Sequence, residues 1–251
     1  MTIQSKFLKI LRRFAPALAV TVLLTAVAVA DSASKVHWAK STDGVRIAYE
    51  VRGKGSPALV FVHGWSCNRS FWADQMEPFS RQFTVVAVDL AGHGDSGRNR
   101  ERWTIQSYGE DVAAVVKKLD LKRVILIGHS MGGDVIPEAA LRLPGRVVGL
   151  IWLDTYKKLG KGRTPEEVQA FIAKLSPNFP EATRDLVRSM FVNTSDPALV
   201  ERVALVMSSA PRVSLCHRWM RRSAIAARCR GPWSNSIYPS SRSILTTLPP
   251  T

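Results

Sequence analysis

Residues 124–133, VILIGHSMGG, decide the fold and mark the residue on which any chemistry would centre. The first four residues form an unbroken apolar run, which is typical of a strand buried on both faces of a parallel sheet. Residues 131–143 have helical character, so residues 128–132 match G-x-S-x-G at a turn from strand to helix. In that setting Ser130 is predicted to be a nucleophile whose hydroxyl stands clear of the sheet.

Two backbone N–H groups near this serine are predicted to form an oxyanion hole. Met131 begins the helix, and its N–H points towards the place where negative charge would develop. A second apolar run, residues 58–62, ends in His63-Gly64-Trp65, and the turn there can offer the N–H of Trp65. His63 itself is interpreted as a histidine that supports the loop.

The rest of the body repeats the alternation of strand and helix. The apolar runs are residues 58–62, 84–90, 124–127 and 147–153. Residues 36–38 and 45–51 alternate between apolar and polar, which indicates a β-hairpin around a turn at residues 42–44. Between the later strands, Ser107 is predicted to cap a helix with Glu110 as its capping-box partner. The pattern predicts an α/β fold with a doubly wound, mostly parallel sheet, which places an active site beyond the carboxyl ends of the strands.

Residues 157–210 interrupt this alternation and are predicted to form a helical cap. Thr164-Pro165 and Asp196-Pro197 are typical helix starts, and no strand pattern separates them. Apolar side chains of this region either line a pocket or simply pack on the main domain: Phe171, Phe179, Met190 and Phe191.

The amino-terminal segment predicts export. Residues 1–30 contain four basic side chains, then an apolar run and an Ala-Val-Ala ending, as in a cleaved signal peptide. An uncleaved membrane anchor is the alternative. With this segment removed, the exported protein is expected to have no membrane partner.

Charge and cysteine content exclude some classes of protein. The net charge is +15, but residues 1–30 hold four basic residues and residues 212–251 hold seven arginines without an acid. Residues 31–211 therefore carry 24 basic and 20 acidic side chains, a net of +4, so no nucleic-acid partner is expected. Three cysteines without metal-ligand spacing predict neither a disulfide framework nor a zinc site.

Three segments together resemble the α/β-hydrolase superfamily, in its lid-bearing branch of serine esterases, lipases and cofactor-free haloperoxidases. They are VFVHGW at residues 60–65, DLAGHGDSG at residues 89–97 and GHSMGG at residues 128–133. The resemblance implies hydrolysis of a small acyl substrate through an acyl-enzyme, a triad in the order Ser, acid, His, and no metal or organic cofactor. It also implies that Asp89, His93 and Asp95 are structural.

The carboxyl-terminal part departs from this pattern. After Asp154 the only histidine is His217, which has no strand before it and no glycine beside it, so the base is unidentified. Asp154 is a candidate acid or, alternatively, a residue that hydrogen-bonds at the start of the cap. The basic tail at residues 211–251 is interpreted as disordered, or as the product of a reading-frame slip that replaced the last strands of the sheet. Either case predicts a poorly soluble chain with an exposed sheet edge.

These observations predict four segments and three candidate functions. The segments are a signal peptide at 1–30, an α/β-hydrolase core at 31–156, a cap at 157–210 and an atypical tail at 211–251. The functions are a serine ester hydrolase weakened by the missing base, a non-catalytic binding protein on the same fold, and a haloperoxidase-type perhydrolase. The sequence does not indicate an oligomeric state.

Overall fold

The computed structural model describes residues 35–155 and 164–211. The predicted signal segment, His217 and all of the tail except Pro211 lie outside the described residues. The reading-frame hypothesis, which concerns that tail, therefore stays a prediction. The described part is built around a single mixed sheet with helices on both faces.

The sheet has six strands in the order β1-β2-β4-β3-β5-β6. They are β1 (His37–Lys40), β2 (Arg46–Arg52), β3 (Ala58–Val62), β4 (Val85–Val88), β5 (Val124–His129) and β6 (Val147–Leu153). β1, β2 and β4 pair antiparallel, whereas β4, β3, β5 and β6 pair parallel. The predicted mostly parallel α/β sheet, with its amino-terminal hairpin, is confirmed.

Helices cover both faces of the sheet. They are α1 (Ala73–Ser80), α2 (Ile105–Lys118), α3 (Met131–Leu141), α4 (Pro165–Leu175), α5 (Phe179–Met190) and α6 (Pro197–Ser208), with a short 3₁₀ helix at Arg69–Trp72. The two faces have separate apolar cores. Val60 and Val62 of β3 contribute to the larger core, and Leu59 and Phe61 contribute to the smaller one. This alternation along one strand is what a doubly wound sheet requires.

Two of the three predicted helix starts are confirmed, and the third is wrong. Thr164 and Asp196 cap α4 and α6 with their side chains, and a proline follows each of them, as predicted. The prediction that Ser107 caps α2 is wrong, because the helix begins three residues earlier. Thr104 is the N-cap: its hydroxyl accepts the Ser107 N–H at 3.1 Å, and the Ser107 hydroxyl accepts the Thr104 N–H at 3.1 Å. A serine thus takes the place of the glutamate that usually completes a capping box.

Removing this cap should weaken α2 measurably. We expect Thr104→Ala to lower the free energy of unfolding by about 1 kcal/mol, because one amide at the helix start loses its acceptor. Ser70→Ala, at an exposed hydroxyl outside α2, is the matched control and should have a smaller effect. Urea unfolding followed by circular dichroism measures both, and equal stability of Thr104→Ala and the parent would contradict the assignment.

The prediction that the run at residues 147–153 is buried on both faces is wrong. β6 is the outermost described strand, and Val148, Ile151 and Leu153 are each at least 40% exposed. The reason is topological. A continuous apolar run indicates that a strand is apolar on both faces, but it does not indicate which neighbouring elements cover those faces.

The three helices α4, α5 and α6 follow one another without an intervening strand. Phe171 of α4 and Phe179 of α5 meet the Trp65 ring edge-on, with centroids 5.6 and 6.2 Å away. Met190 is exposed at the end of α5 and does not join them. No helix among the described residues is long and apolar enough to span a membrane.

A buried ionic cluster joins the hairpin to α2. Arg100 bridges Asp111 at 2.5 Å and Asp43 at 2.6 Å, and Ser41 donates a hydrogen bond to Asp111 at 2.7 Å. The side chains of Arg100 and Asp111 are almost completely inaccessible to solvent. The cluster ties the turn after β1 to the helix that leads into β5, the strand that carries the candidate site.

Candidate active site

Ser130 occupies a strained turn between β5 and α3. Its φ and ψ are 50° and −118°, and a positive φ in a residue with a side chain marks a strained conformation. Its backbone N–H donates to the Leu153 carbonyl of β6 at 3.1 Å, which holds the turn against the neighbouring strand. The residue is exposed at the carboxyl end of the parallel strands, where ligands bind in folds of this type.

Close backbone contacts explain the glycines on either side of the serine. A Cβ at Gly128 would lie 2.4 Å from the Gly132 carbonyl oxygen, and a Cβ at Gly132 would lie 2.4 Å from the Val62 carbonyl oxygen. Both contacts are with main-chain atoms, which cannot move aside as a flexible side chain can. The turn therefore forms only where side chains are absent.

The turn after β3 meets the serine at the same end of the sheet. A Cβ added to Gly64 would lie 3.2 Å from the Ser130 Cβ, so the two turns are in contact. Trp65 follows Gly64 directly. Met131 is the first residue of α3, and the backbone N–H of a first helical residue has no partner within its helix. These positions suit the two predicted oxyanion donors, and their role in catalysis stays a prediction.

His63 is buried beneath this turn. Its Nδ1 lies 2.8 Å from the Gly64 carbonyl oxygen, and its Nε2 accepts the Leu90 N–H at 3.1 Å. Both ring nitrogens are thus engaged with the backbone, and burial lowers the pKa of His63 to about 4. The geometry agrees with a histidine that shapes the loop.

Asp154, the candidate acid, follows β6 and is exposed with a φ of 45°. Burial lowers the pKa of His129, and the charge of Asp154 opposes that effect. The structure therefore brings Ser130, His129 and Asp154 to one corner of the molecule.

Among the residues that the structure describes, no histidine in this corner is positioned as a base. Across residues 35–155 and 164–211, no histidine ring hydrogen-bonds to Ser130, although His129 precedes it in the chain. His93 is buried against His63 with ring centroids 5.0 Å apart. His217 lies outside the described residues.

The segment at residues 89–97 forms a turn beside the site. Asp89 is fully buried, accepts the backbone N–H groups of Arg69 and Asp95, and pairs with the Arg69 guanidinium. Arg69 also bridges the more exposed Asp95 at 2.7 Å. These contacts agree with the structural interpretation of both acids, and nothing in the local sequence pattern pointed to Arg69 as their partner.

Two further residues that support the turn at Ser130 were also not predicted from the sequence. The indole N–H of Trp152 donates to the Gly133 carbonyl at 3.0 Å. The Thr155 side chain packs against Gly133 so closely that a Cβ added there would lie 2.3 Å from its Oγ1. Both residues come from β6 or directly follow it. An apolar run shows that a strand is present, but it does not show which of its side chains reach back to a distant turn.

Comparison with known proteins agrees with this geometry. The family model for the alpha/beta hydrolase fold matches residues 57–202. An AB hydrolase superfamily protein of Bacillus subtilis is 30% identical over 190 residues, covering 72% of this chain and 70% of its own. An esterase of Thermogutta terrifontis has a solved structure that is 26% identical, with a TM-score of 0.61, covering 74% of this chain and 71% of its own. The chain belongs to the α/β-hydrolase family.

The names of the wider set of relatives cover several different activities. It includes esterases, other hydrolases and haloperoxidase-like proteins. An uncharacterized protein of Mycobacterium tuberculosis is 34% identical over 112 residues, which is 45% of this chain and 33% of that protein. The region that matches this relative, or an acetyltransferase component of an acetoin cleaving system, spans about a third of the length of that protein.

Proposed function

We propose that this protein is a serine hydrolase that cleaves a carboxylic ester or a similar acyl compound through an acyl-enzyme on Ser130. The observation that carries the proposal is the strained, exposed position of Ser130 at the junction of β5 and α3. A positive φ costs stability and is retained where the surroundings enforce it, often at reactive sites. Here the strain lifts the hydroxyl out of the sheet towards solvent.

The chemistry follows from the groups around this hydroxyl. The Ser130 oxygen attacks the acyl carbonyl, and the N–H groups of Met131 and Trp65 stabilise the oxyanion of the tetrahedral intermediate. The bond between the carbonyl carbon and the alkoxy oxygen then breaks, and the alcohol leaves with the proton that the Ser130 hydroxyl gave up. Water hydrolyses the acyl-enzyme to the carboxylic acid and restores the Ser130 hydroxyl. Donors fixed by the fold need no reorganisation when charge develops, which is why such a pair contributes so much to the rate.

Asp154 is the candidate acid, because it lies close enough to His129, the residue before the serine, for its charge to oppose the effect of burial on the pKa of that histidine. A carboxylate in this role would orient a histidine and stabilise its protonated form. With no base identified, the expected rate is low: the oxyanion hole and substrate binding alone leave roughly a 10³-fold advantage over the reaction in water.

Labelling with a fluorophosphonate probe tests this proposal, because the probe reacts with activated serines. We expect the folded full chain to be labelled slowly, in keeping with the low rate expected without a base. Ser130→Ala should lose all labelling, and Ser189→Ala, a matched change at an exposed serine of α5, should keep the parent's rate. Labelling of Ser130→Ala at the parent's rate would refute the assignment of the nucleophile. A folded parent that is not labelled would favour the non-catalytic binding protein.

A second activity has support from one relative, which is named a putative non-heme haloperoxidase. Perhydrolysis uses the same nucleophile and oxyanion hole, with peroxide replacing water in the second step. Bromination in the presence of acetate and peroxide, compared between the parent and Ser130→Ala, separates this activity from simple ester hydrolysis.

A further inference from the structure

A basic groove lies on the side of the molecule, between β1 and α2. Its volume is about 1060 Å³, and its lining includes five cationic side chains. Four of them, Lys40, Arg46, Lys117 and Lys118, border the groove without an acid paired to them in the described part of the chain, and the fifth is Arg142. β1 is an edge strand of the described sheet, and β2, β4 and β3 lie between it and β5, which leads into Ser130. The groove is thus separate from the candidate active site.

The positive charge of this basic groove is not neutralised by neighbouring acids. Within the described residues, none of the four bordering cations forms an ion pair. The one acid of the lining, Glu110, accepts a hydrogen bond from Thr42 at 2.5 Å and lies 3.6 Å from the Arg142 guanidinium. Arg142 also pairs with the buried Glu138 at 2.8 Å, so it neutralises Glu110 only in part. The four exposed cations still outnumber this one acid, and the lining keeps a net positive charge.

An exposed aromatic ring completes the groove. Trp38 of β1 is 43% exposed, and the Arg46 guanidinium lies 5.0 Å from the centre of its ring. The small side chains of Ala113 and Ala114 contribute an apolar part of the lining. Indole rings beside lysine and arginine favour the boundary between acyl chains and headgroups, because one end of each side chain is apolar and the other is polar.

The position of the groove along the chain also favours a membrane. Residues 14–30 are the apolar segment that predicts membrane engagement, either during export or as an anchor. His37 begins β1 seven residues after Ala30 in the sequence. Trp38 and Lys40 are therefore among the first residues of the folded body to follow that segment.

We propose that this basic groove binds the headgroups of anionic phospholipids and holds the folded body against a membrane surface. The four cations contact lipid phosphates, and Trp38 inserts at the level of the headgroups. This conclusion differs from the expectation of no membrane partner, because a net charge of +4 spread over the body gave no sign of clustering. The fold gathers cations from positions 40, 46, 117 and 118 onto one surface.

Vesicle binding by the full-length chain tests the proposal. The triple variant Lys40→Gln, Lys117→Gln, Lys118→Gln is compared with Lys54→Gln, Arg98→Gln, Lys174→Gln, which removes the same charge from other exposed surfaces. The vesicles are phosphatidylcholine with and without an equimolar amount of phosphatidylglycerol. We expect the groove variant to lose affinity for the anionic vesicles by roughly fivefold for each lysine removed, and the control to lose less than the groove variant.

Hydrogen exchange places the contact on the molecule, since the two basic ends of the chain also attract anionic lipid. Binding of the parent should protect amides of residues 37–40 and 113–118, and the groove variant should lose that protection. Equal vesicle binding by the two triple variants would overturn the proposal. So would protection of these residues by a short DNA duplex with no protection by anionic vesicles, since that would identify a nucleic-acid site.

Discussion

Lowering the pH from 7 to 5 is expected to reduce the free energy of unfolding by about 2 kcal/mol for each of two buried histidines, His63 and His93. Burial lowers the pKa of His63 to about 4 and that of His93 to about 3. The unfolded chain takes up its protons near pH 6.5. Between these values the unfolded state binds more protons than the folded state, so stability rises with pH and is lost on acidification below about 6.5.

The hydrogen bonds show why the folded protein resists these protons. The Nε2 of His63 accepts the Leu90 N–H, so a proton there would face another donor. The Nδ1 of His93 lies 3.1 Å from the Ala91 carbonyl oxygen, and in the described part of the chain its Nε2 has no hydrogen-bond partner. A proton on that Nε2 would create a buried charge with no hydrogen-bond acceptor among the described residues, and the opposing influence of Asp89 is weaker than that of burial. The two rings also lie 5.0 Å apart, so two positive charges would repel each other.

Chemical denaturation at a series of pH values measures this effect. His63→Gln should remove about half of the loss between pH 7 and pH 5, because one of the two titrating groups is gone. Val62→Ala is the matched control: it destabilises the same region through lost packing and should keep the full pH dependence. The explanation fails if His63→Gln and the parent lose the same free energy over this range.

Replacement of Arg100 by methionine is expected to cost about 3–5 kcal/mol, the usual result of removing one partner from a buried ion pair. The Arg100 guanidinium contacts both oxygens of Asp111, which has no exposed side-chain surface. Without the arginine, Asp111 either stays charged and buried, with the Ser41 hydroxyl and the Ala91 N–H as its remaining donors, or takes up a proton. Both outcomes raise the free energy of the folded state relative to the unfolded one.

A double variant separates the buried charge from the loss of packing. Arg100→Met combined with Asp111→Asn removes both charges and should recover part of the lost stability. Arg98→Ala, at an exposed arginine two residues away, should change the free energy of unfolding by less than about 0.5 kcal/mol. Thermal or urea unfolding gives all three values. A single variant as stable as Arg98→Ala would mean that the cluster does not support the hairpin.

The sequence predicted the elements whose signals are local. The run at residues 58–62 is β3 and the run at residues 147–153 is β6, with the same bounds. The glycines around Ser130 predicted a strained turn between strand and helix, and the contacts within 2.4 Å explain why no other residue fits there. Such features depend on neighbours a few residues apart, which a pattern can report.

What the sequence could not predict depends on partners far apart in the chain. Arg100 and Asp43 are 57 residues apart, and Gln106 and Glu138 are 32 apart, so no local pattern links them. The exposure of β6 likewise depends on which strands lie beside it. The identity of the base could not be predicted for the same reason, since a histidine acts as a base only when its ring lies within hydrogen-bonding distance of the serine hydroxyl.

The ionic cluster beneath the hairpin also sets how far the amino-terminal edge can fray. β1 is held to β2 by four residue pairs, from His37 opposite Tyr49 to Lys40 opposite Arg46. A pull on the amino-terminal segment loads these pairs one after another, starting at His37. The peeling then meets Ser41 and Asp43, which are fastened to Asp111 and Arg100. We therefore expect local unfolding under load to end at this cluster, so that β1 detaches while the other strands of the sheet remain paired.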